Sequence, residues 1–447
     1  MKDRRTSRDR DIYDEYSEQY EVRRKKRPES YEVRSARRLE EEERQRRAEA
    51  EERRRRKRSQ VSSSERRKRS TGEAEQRPHR KKSRKQKEAL RKKRRRKRIL
   101  ILVLELLVLI ILAIGAYAVI KLDKLDWTRL NSDNLEVYKD TGPYTNIALF
   151  GLDSREGELD GGVRSDCIMI ASINNDTNEV KIVSVYRDTL LLQEDGEYEK
   201  ANAAYNAGPE SAIALLNRNL DLDIKNYVSV NFNSLTDVID LLGGIDVEMT
   251  EEEVYWTNAY AIETANTIGR EAAQLSGEAG MQHLDGIQSV AFSRIRYTDG
   301  MDFKRTHRQR IVLEQVIKKA QKADIFTLNK IIDQVFPQIS TSLNAKDMMG
   351  IAAHALSYKI GEMTGFPFSV TTSEEVSGHN GSYVVPIGLA DNVSQLHALL
   401  FANEAYQPSE KVQQISQDII SMTGIDPATY GNGIDTSAYT QKNSEGE

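Results

Sequence analysis

The sequence predicts a layered α/β domain, with helices on a central β-sheet, behind one N-terminal transmembrane helix. From residue 144 onward, short apolar runs typical of strands alternate with segments of helical periodicity. Before that region, residues 99–120 form an apolar run with a single charge, Glu105. Residues 1–98 contain too few apolar side chains to bury a core, so the globular part of the chain follows the apolar run.

Opposite net charges distinguish the N-terminal tail from the rest of the chain. Residues 1–98 hold 41 Lys and Arg against 20 Asp and Glu, so chain totals of 67 and 69 leave 26 against 49 for residues 99–447. We predict that residues 1–98 are a basic, low-complexity cytoplasmic tail, disordered or partly helical, whose end RKKRRRKR (91–98) attracts anionic membrane lipids. Nucleic-acid binding is the rival interpretation, but no groove-reading motif accompanies the arginines, and no nucleic acid is expected.

The apolar run at 99–120 has the length of a membrane span. At about 1.5 Å per residue it crosses a hydrocarbon core of roughly 30 Å. A signal-peptide core would be shorter and would end at a cleavage site, whereas this run continues into KLDKLDW. A buried core helix is the alternative. The basic residues before the run place the N-terminus in the cytoplasm and residues 121–447 outside the cell membrane.

Strand signals come first after a predicted linker at 121–143. YTNIALFGLDS (144–154) is an apolar run that ends in a turn. CIMIASINNDTNEVKIVSVYRD (167–188) contains two apolar runs around an Asn/Asp-rich turn, which is typical of a hairpin. Further strands are predicted at 227–232 and 245–249.

Helices are predicted between and after these strands. ANAAYNAGPESAIALLNRNL (201–220) has helical spacing after Gly208-Pro209, and 234–244 ends at glycine. A long helix is predicted from Asp302 to about residue 323. We place the globular domain at 144–406 and expect residues 407–447 to be a loosely held polar tail.

Charged residues cluster where the predicted strands begin or end. If the strands are neighbours, these residues meet at one edge of the sheet. Aspartates there suit Mg²⁺, and arginines suit phosphate oxygens, which their planar guanidinium groups bind bidentately. Each residue taken singly is more often a solvated turn residue. The residues are Asp153, Arg155, Arg164, Asp166, Arg187 and Asp188.

A second group of cations lies in AFSRIRYTDGMDFKRTHRQR (291–310), within a part of the chain that is acidic overall. Clustered arginines repel one another, so this group implies an anionic ligand or a buried counter-ion. The sequence contains no GxxxxGK[ST] phosphate loop, dinucleotide fingerprint, HExxH or GxSxG motif. Zinc chemistry and Ser-His-Asp catalysis are therefore not expected. The single cysteine, Cys167, is interpreted as a small buried hydrophobe.

Seven short motifs follow one another behind the predicted membrane helix. The motifs are GLDSR (151–155), RSDCIM (164–169), SVYRD (184–188), KANAAYNAGPE (200–210), LLGGIDV (241–247), DGIQSVAFSRIRY (285–297) and DFKRTHRQRIVL (302–313). Their identity and order resemble the LytR-CpsA-Psr (LCP) family of cell-wall glycopolymer ligases, and the resemblance covers roughly residues 144–325.

The resemblance implies a central mixed sheet flanked by helices, with an apolar cavity for a lipid between them. It also implies a Mg²⁺-dependent phosphotransferase, with Mn²⁺ as a substitute. Such an enzyme moves a glycopolymer phosphate, as teichoic acid, capsule or another wall polysaccharide, from a polyprenyl pyrophosphate lipid to peptidoglycan. The alternatives are a lipid pyrophosphate hydrolase and a non-enzymatic membrane regulator or wall-polymer-binding protein.

The resemblance also implies residue roles. Asp153 and Asp166 would hold the metal. The pyrophosphate-binding, catalytic set would be Arg164, Arg187, Arg294, Arg296, Arg305 and Gln309. Substrate would also contact Lys200, Asn202, Asp188 and Arg155.

The arginines of the helix that begins near Asp302 lie on different helical faces. Helical spacing puts Arg305 and Gln309 on one face, at i and i+4. The same spacing turns Arg310 away, and we predict that Arg310 is solvated. Arg308 is a less certain ligand than Arg305.

Overall fold

The structure is a computed structural model that describes residues 126–139, 141–153, 159, 161–298, 300–376, 379–431 and 433–442. The predicted cytoplasmic tail and transmembrane helix lie outside these residues, as does the start of the predicted linker, and they stay predictions. Within the described ranges, no helix has the length and apolarity needed to cross a membrane.

Thirteen strands and nine α-helices occur in the described part of the chain. The strands are β1 Asp126–Trp127, β2 Tyr144–Leu152, β3 Ser165–Asn174, β4 Glu179–Val185, β5 Leu190–Leu192, β6 Tyr198–Lys200, β7 Asn226–Asn231, β8 Ile245–Met249, β9 Gly280–Leu284, β10 Ile339–Thr341, β11 Lys359–Phe366, β12 Val370–Val376 and β13 His379–Pro386. The helices are α1 Pro209–Leu220, α2 Phe232–Leu241, α3 Glu251–Ile268, α4 Gly286–Arg294, α5 Met301–Lys322, α6 Ile325–Gln334, α7 Ala345–His354, α8 Leu389–Phe401 and α9 Glu410–Thr423.

Seven of the strands form one mixed sheet in the order β1-β10-β7-β2-β3-β4-β11. β2 pairs antiparallel with β3, β3 pairs antiparallel with β4, and β7 pairs parallel with β2. The end of β2, the start of β3 and the end of β4 therefore share one edge of the sheet. This arrangement confirms the predicted hairpin and the mixed central sheet.

The central strand β2 carries apolar side chains on both faces. Phe150 and Leu152 join a core with α1, α8 and α9. Ile147 and Leu149 point to the opposite face, where they pack with residues of α5 and α7. Strands buried on both faces read as continuous apolar runs, which explains why 144–152 shows little alternation.

Side-chain caps fix the starts of the helices next to the second face. Asn231, Thr250 and Asp285 each accept a hydrogen bond from the backbone N–H three residues later, at the starts of α2, α3 and α4. In each case the later residue's side chain reciprocates, which forms a capping box. These caps set where α2, α3 and α4 begin, and so which of their residues face the sheet.

The predicted elements at 227–232, 234–244, 245–249 and 302–323 correspond to β7, α2, β8 and α5, and are confirmed within a few residues. The helix predicted within 201–220 is also confirmed: α1 follows a 3-10 helix at Ala201–Ala207.

The prediction that residues 407–447 are a loosely held polar tail is wrong for most of that segment. α9 buries Val412, Ile415 and Ile419 in the main core. Their spacing places them on one helical face, so a narrow apolar stripe was present in a polar stretch. Further on, Gln441 exchanges backbone hydrogen bonds with Met363 of β11, at 2.9 and 2.8 Å.

Candidate active site

A cavity of about 470 Å³ lies between the second face of the sheet and α2, α3, α4 and α5. Its interior is mainly apolar, and its rim is charged. The apolar lining comes from Leu149, Cys167, Met169, Val228, Val230, Leu235, Val312, Leu313 and Val316, among others. Such a pocket, apolar inside with a few convergent polar groups, is the usual form of a ligand site.

Asp166 is the centre of the charged rim. Arg187 donates from Nη1 to Oδ1 of Asp166 at 2.7 Å, and Arg296 donates from Nη2 to Oδ2 at 3.3 Å. The backbone oxygen of Asp166 accepts from Arg305 Nη2 at 3.4 Å and from Gln309 Nε2 at 3.5 Å. Four predicted ligands, from three separate chain segments, thus converge at the first residues of β3.

Asp302 holds two of these arginines from the other side. Its Oδ1 lies 2.8 Å from Arg305 Nη2 and 3.8 Å from Arg187 Nε. The Arg305 side chain is only 2% exposed, whereas that of Arg296 is 43% exposed. Arg305 is therefore fixed in the wall, and Arg296 is the guanidinium most accessible to a ligand at the rim.

The pKa shifts reflect this concentration of charge. Burial acts to raise the pKa of Asp166, but Arg187, Arg305 and Arg296 outweigh it and lower the pKa. Burial, and then repulsion from Arg187 and Arg296, lower the pKa of Arg305. The pKa of Arg187 shifts in the opposite direction. Burial acts to lower it, but the carboxylates of Asp166, Asp188 and Asp302 outweigh burial and raise it. Asp166 is therefore ionised at neutral pH. The ion pair with Asp302 only partly offsets the effects of burial and of the neighbouring arginines on the pKa of Arg305, so an anion beside Arg305 would stabilise its charge.

Asp188, Lys200 and Asn202 extend the cluster behind Arg187. Asp188 Oδ2 lies 3.4 Å from Arg187 Nε, and its Oδ1 lies 3.3 Å from Lys200 Nζ. The backbone N–H of Asn202 donates to the Arg187 oxygen at 3.0 Å. The side-chain oxygen of Asn202 is buried and has no hydrogen-bond partner among the described residues. These three residues surround Arg187, but they are not part of the cavity lining.

Arg294 lines the cavity and is oriented by α3. Its Nη1 donates to Thr264 Oγ1 at 2.8 Å, and its Nη2 donates to Glu263 Oε1 at 2.9 Å. The guanidinium lies 4.7 Å from the ring centre of Phe232. Arg294 thus pairs with Glu263, whereas Arg305 shares its counter-ion Asp302 with Arg187.

The remaining predicted residues are less closely associated with the cluster. Asp153 is exposed and lines the cavity beyond the end of β2. Arg164 is exposed and is not part of the lining. Arg155 lies outside the described residues, so its predicted role stays a prediction, as do the roles of the others.

The donors present allow a limited fit to Mg²⁺. Among the residues that the structure describes, no group of three or more His, Cys, Asp or Glu is arranged to hold a metal ion. Mg²⁺ in phosphoryl-transfer sites takes one or two carboxylates, with water and substrate phosphate completing the shell. The exposed Asp153 and the Oδ2 of Asp166, which lies 3.3 Å from Arg296 Nη2, meet that smaller requirement.

The prediction that Arg310 is solvated is wrong. Arg310 is fully buried, and its Nη2 donates to the Tyr439 oxygen at 2.8 Å. Burial lowers its pKa to about 10. The C-terminal segment around Tyr439 covers the face of α5 that would otherwise meet water.

Arg308 is also fully buried and is bound to protein groups rather than directed at the cavity. Its Nε donates to Glu253 Oε1 at 3.0 Å, its Nη2 to Thr298 Oγ1 at 2.6 Å, and its Nη1 to the Ile295 oxygen at 3.2 Å. Arg308 therefore anchors the turn after α4, the turn that carries Arg296.

Asp302, Tyr260 and Glu263 are site residues that the sequence analysis did not assign. Asp302 had a local signal, since it stands three residues before Arg305 on the same helix. Tyr260 and Glu263 lie on α3, and no motif marks them. Only tertiary packing brings α3 to the cavity.

His307 gives a test of the electrostatics around α5. Burial, and then Arg310 and Arg308, lower its pKa from 6.5 to about 4, and Glu253 only partly opposes this. Between pH 6.5 and 4, His307 is therefore protonated in the unfolded chain but remains neutral in the folded chain. The free energy of unfolding consequently falls as the pH falls through this window. We expect His307→Gln to weaken this dependence, measured as Tm against pH for both proteins. A constant difference in Tm from pH 7 to 4 would contradict the assignment.

Comparison with known proteins identifies relatives of this chain. The sequence model of the LytR_cpsA_psr family matches residues 117–397. The polyisoprenyl-teichoic acid–peptidoglycan teichoic acid transferase TagU of Bacillus mycoides (strain KBAB4) is 33% identical over 207 residues, which are 45% of this chain and 62% of the relative. TagU of Bacillus cereus is 28% identical over 269 residues, which are 56% of this chain and 81% of the relative. The chain thus spans less than two thirds of the first of these relatives.

Comparison with solved structures gives matches of lower sequence identity. The structure of TagT bound to LIIa-WTA aligns with a TM-score of 0.48 and 20% identity, over 62% of this chain and 100% of that chain.

Proposed function

This chain belongs to the LytR-CpsA-Psr family, and we propose that it is a transferase that moves a glycopolymer phosphate from a polyprenyl pyrophosphate lipid to peptidoglycan. The names of the TagU relatives describe a transferase of teichoic acid with polyisoprenyl-teichoic acid and peptidoglycan as its substrates. One observation supports the proposal most directly: the apolar cavity ends at Asp166, and Arg187, Arg296 and Arg305 all contact that residue.

The cavity suits the two chemical halves of such a donor. An isoprenoid chain is apolar, and its transfer from water to an apolar pocket is favourable in proportion to the area buried. A pyrophosphate is a compact polyanion, and guanidinium groups bind its oxygens bidentately. With the chain among Leu149, Met169 and Val312, the pyrophosphate would meet the rim arginines.

The rim residues would act chiefly on charge and position. In the transfer, a hydroxyl of the acceptor attacks the phosphorus that carries the polymer and loses its proton to water. The bond from that phosphorus to the oxygen of the lipid phosphate breaks, and the lipid phosphate leaves. Negative charge grows on the departing phosphate, where Arg305 and Arg296 would stabilise it. Asp302 and Asp166 hold these arginines in place before substrate binds, so little reorganisation is needed during the reaction.

We propose Mg²⁺, or Mn²⁺ in its place, as the cofactor, held by Asp153 and Asp166 together with substrate oxygens. A divalent cation there would neutralise phosphate charge. Arg187 would keep Asp166 ionised and oriented, whether or not the metal is bound.

The location of the enzyme follows from the same proposal. A polyprenyl lipid and peptidoglycan are both available at the outer face of the cell membrane, so the predicted helix at 99–120 would anchor the domain there. The basic tail at 91–98 would contact anionic lipids on the cytoplasmic side.

A transfer assay with the full chain tests the function. Purified protein is mixed with lipid-linked polymer, polymer-free peptidoglycan and Mg²⁺, and peptidoglycan-linked polymer is measured. We expect transfer by the wild type and a loss of roughly 10²-fold in rate for Arg296→Ala. Arg129→Ala, at an exposed arginine beside β1, is the matched control and should transfer normally.

Two results would contradict the proposal in different ways. Release of free polymer without any peptidoglycan-linked product would favour a lipid pyrophosphate hydrolase. Normal transfer by Arg296→Ala would show that Arg296, the most accessible arginine of the rim, does not take part in the reaction.

A further inference from the structure

An aromatic cluster beside the cavity has no part in the chemistry described above. α3 supplies Tyr255, Trp256 and Tyr260, and the turn after α4 supplies Tyr297. The ring centres of Trp256 and Tyr297 are 4.9 Å apart, those of Tyr260 and Tyr297 are 6.3 Å apart, and both pairs are tilted by about 35°. Tyr255 packs edge-on against Trp256 at 5.2 Å. We call these four residues the aromatic platform.

The platform has a fixed base and an exposed surface. Trp256 and Tyr260 pack against the core formed by α2, α3, α4 and α5. Tyr297 is 67% exposed, and Tyr255 is 66% exposed. Aromatic side chains that are held rigidly but open to solvent lose little conformational entropy when they bind a partner, and they are typical of recognition surfaces.

The platform continues the rim of the cavity outward. Tyr260 lines the cavity itself. Arg296, which reaches Asp166, directly precedes Tyr297 in the chain. A molecule on the platform would therefore lie next to the arginines that the proposed function assigns to the pyrophosphate.

Charges of opposite sign lie beside the platform and limit what it can bind. Arg294 lies 5.7 Å from the ring centre of Tyr260, the platform residue that lines the cavity. The charges near Tyr255 are negative. α3 begins with Glu251 and Glu252, both exposed and one helical turn before Tyr255 and Trp256. These carboxylates would repel a polymer of repeated phosphates, and they would also repel an anionic lipid surface. An uncharged ligand meets neither obstacle.

Sugar rings match such a surface chemically. A pyranose has a face of C–H groups and a rim of hydroxyl groups. Tyrosine and tryptophan likewise combine an apolar ring with a polar group at its edge. Successive sugars of a glycan strand can therefore lie over Tyr297 and Tyr255 while their hydroxyl groups remain hydrogen-bonded.

We infer that the aromatic platform binds the uncharged sugar rings of the acceptor peptidoglycan strand and presents one of their hydroxyl groups to the rim. The inference rests on the proposed function, since it assigns the acceptor side of that reaction. The donor remains in the cavity, and the two substrates meet at Arg296.

Co-sedimentation with purified, polymer-free peptidoglycan sacculi tests this inference on the full chain in detergent, without any lipid donor. We expect the double variant Tyr255→Ser/Tyr297→Ser to bind sacculi about tenfold more weakly, which corresponds to about 1.4 kcal/mol. Tyr297→Phe keeps the ring and should bind nearly as well as the wild type. Phe326→Ser is the matched control, because Phe326 is 78% exposed and lies beyond the end of α5, roughly 25 Å along that helix from Arg305.

Several results would overturn the inference. They are failure of the wild type to bind sacculi, equal binding by the double variant, and an equal loss in Phe326→Ser. A membrane role for the platform is tested in a Trp127→Phe background, where Trp256 is the one remaining tryptophan. Quenching of its fluorescence by brominated lipid in nanodiscs would assign the platform to the bilayer.

The sacculus assay separates this inference from the proposed function. Because no donor is present, binding that depends on the platform would stand even if the wild type transferred no polymer. If transfer does occur, the double variant should raise KM for peptidoglycan and leave retention of the lipid donor unchanged. A loss of donor retention instead would contradict the assignment to the acceptor.

Discussion

Arg305→Met is expected to lower the rate of polymer transfer by about 10²–10³-fold while the protein stays folded. Arg305 is buried in the rim, and its charge is only partly balanced by Asp302 and Asp166. Arg187 and Arg296 repel it. Its replacement by an apolar side chain of similar length therefore relieves this repulsion and at the same time removes a hydrogen-bond donor to the phosphate. Catalytic residues commonly make a protein less stable than a non-catalytic replacement would.

Transfer rate and Tm, measured together, test this prediction. Arg305→Lys keeps the charge but loses the planar fork, and it should fall between the wild type and Arg305→Met. An unchanged transfer rate in Arg305→Met would contradict the assignment. So would a loss of rate that a large fall in Tm fully explains.

Glu253→Ala is expected to have the largest effect on stability, a loss of about 3–5 kcal/mol in the free energy of unfolding. Arg308 would remain fully buried without its carboxylate partner. Glu253 Oε2 also accepts from the Thr250 backbone N–H at 3.1 Å, so α3 would lose its capping box. The change would loosen the turn that carries Arg296 and Tyr297, because Arg308 binds Ile295 and Thr298 in that turn.

Denaturant unfolding of three proteins tests this prediction. Glu252→Ala removes an exposed neighbouring carboxylate and should change the free energy of unfolding little. Glu253→Gln preserves the cap but not the charge, and it should give an intermediate loss. Equal stability of Glu252→Ala and Glu253→Ala would show that the buried pair is not a structural anchor.

The strand-end residues show what the sequence can predict about this site. Antiparallel pairing of neighbouring apolar runs was enough to anticipate that Asp166 and Arg187 meet at one edge of the sheet. Helical spacing was enough to put Arg305 and Gln309 on the same side of α5. Both arguments depend on short-range geometry, which the local pattern determines.

Long-range packing explains what the sequence analysis missed. Arg310 was expected in solvent because its helical direction differs from that of Arg305, but the segment around Tyr439 covers that direction. Glu253 and Arg308 are 55 residues apart, and no pattern in the sequence around either residue predicts that they form an ion pair. The polar composition of 407–447 likewise concealed the apolar stripe of α9.

If the cavity holds a polyprenyl lipid with its pyrophosphate at the rim arginines, that lipid should copurify with the protein. Mass spectrometry of the lipids retained by the full chain, after gentle extraction from its native membrane, tests this most directly. We expect a polyprenyl phosphate or pyrophosphate species with the wild type, and its depletion in Arg305→Met. Recovery of bulk phospholipids alone, in equal amounts from both proteins, would contradict it.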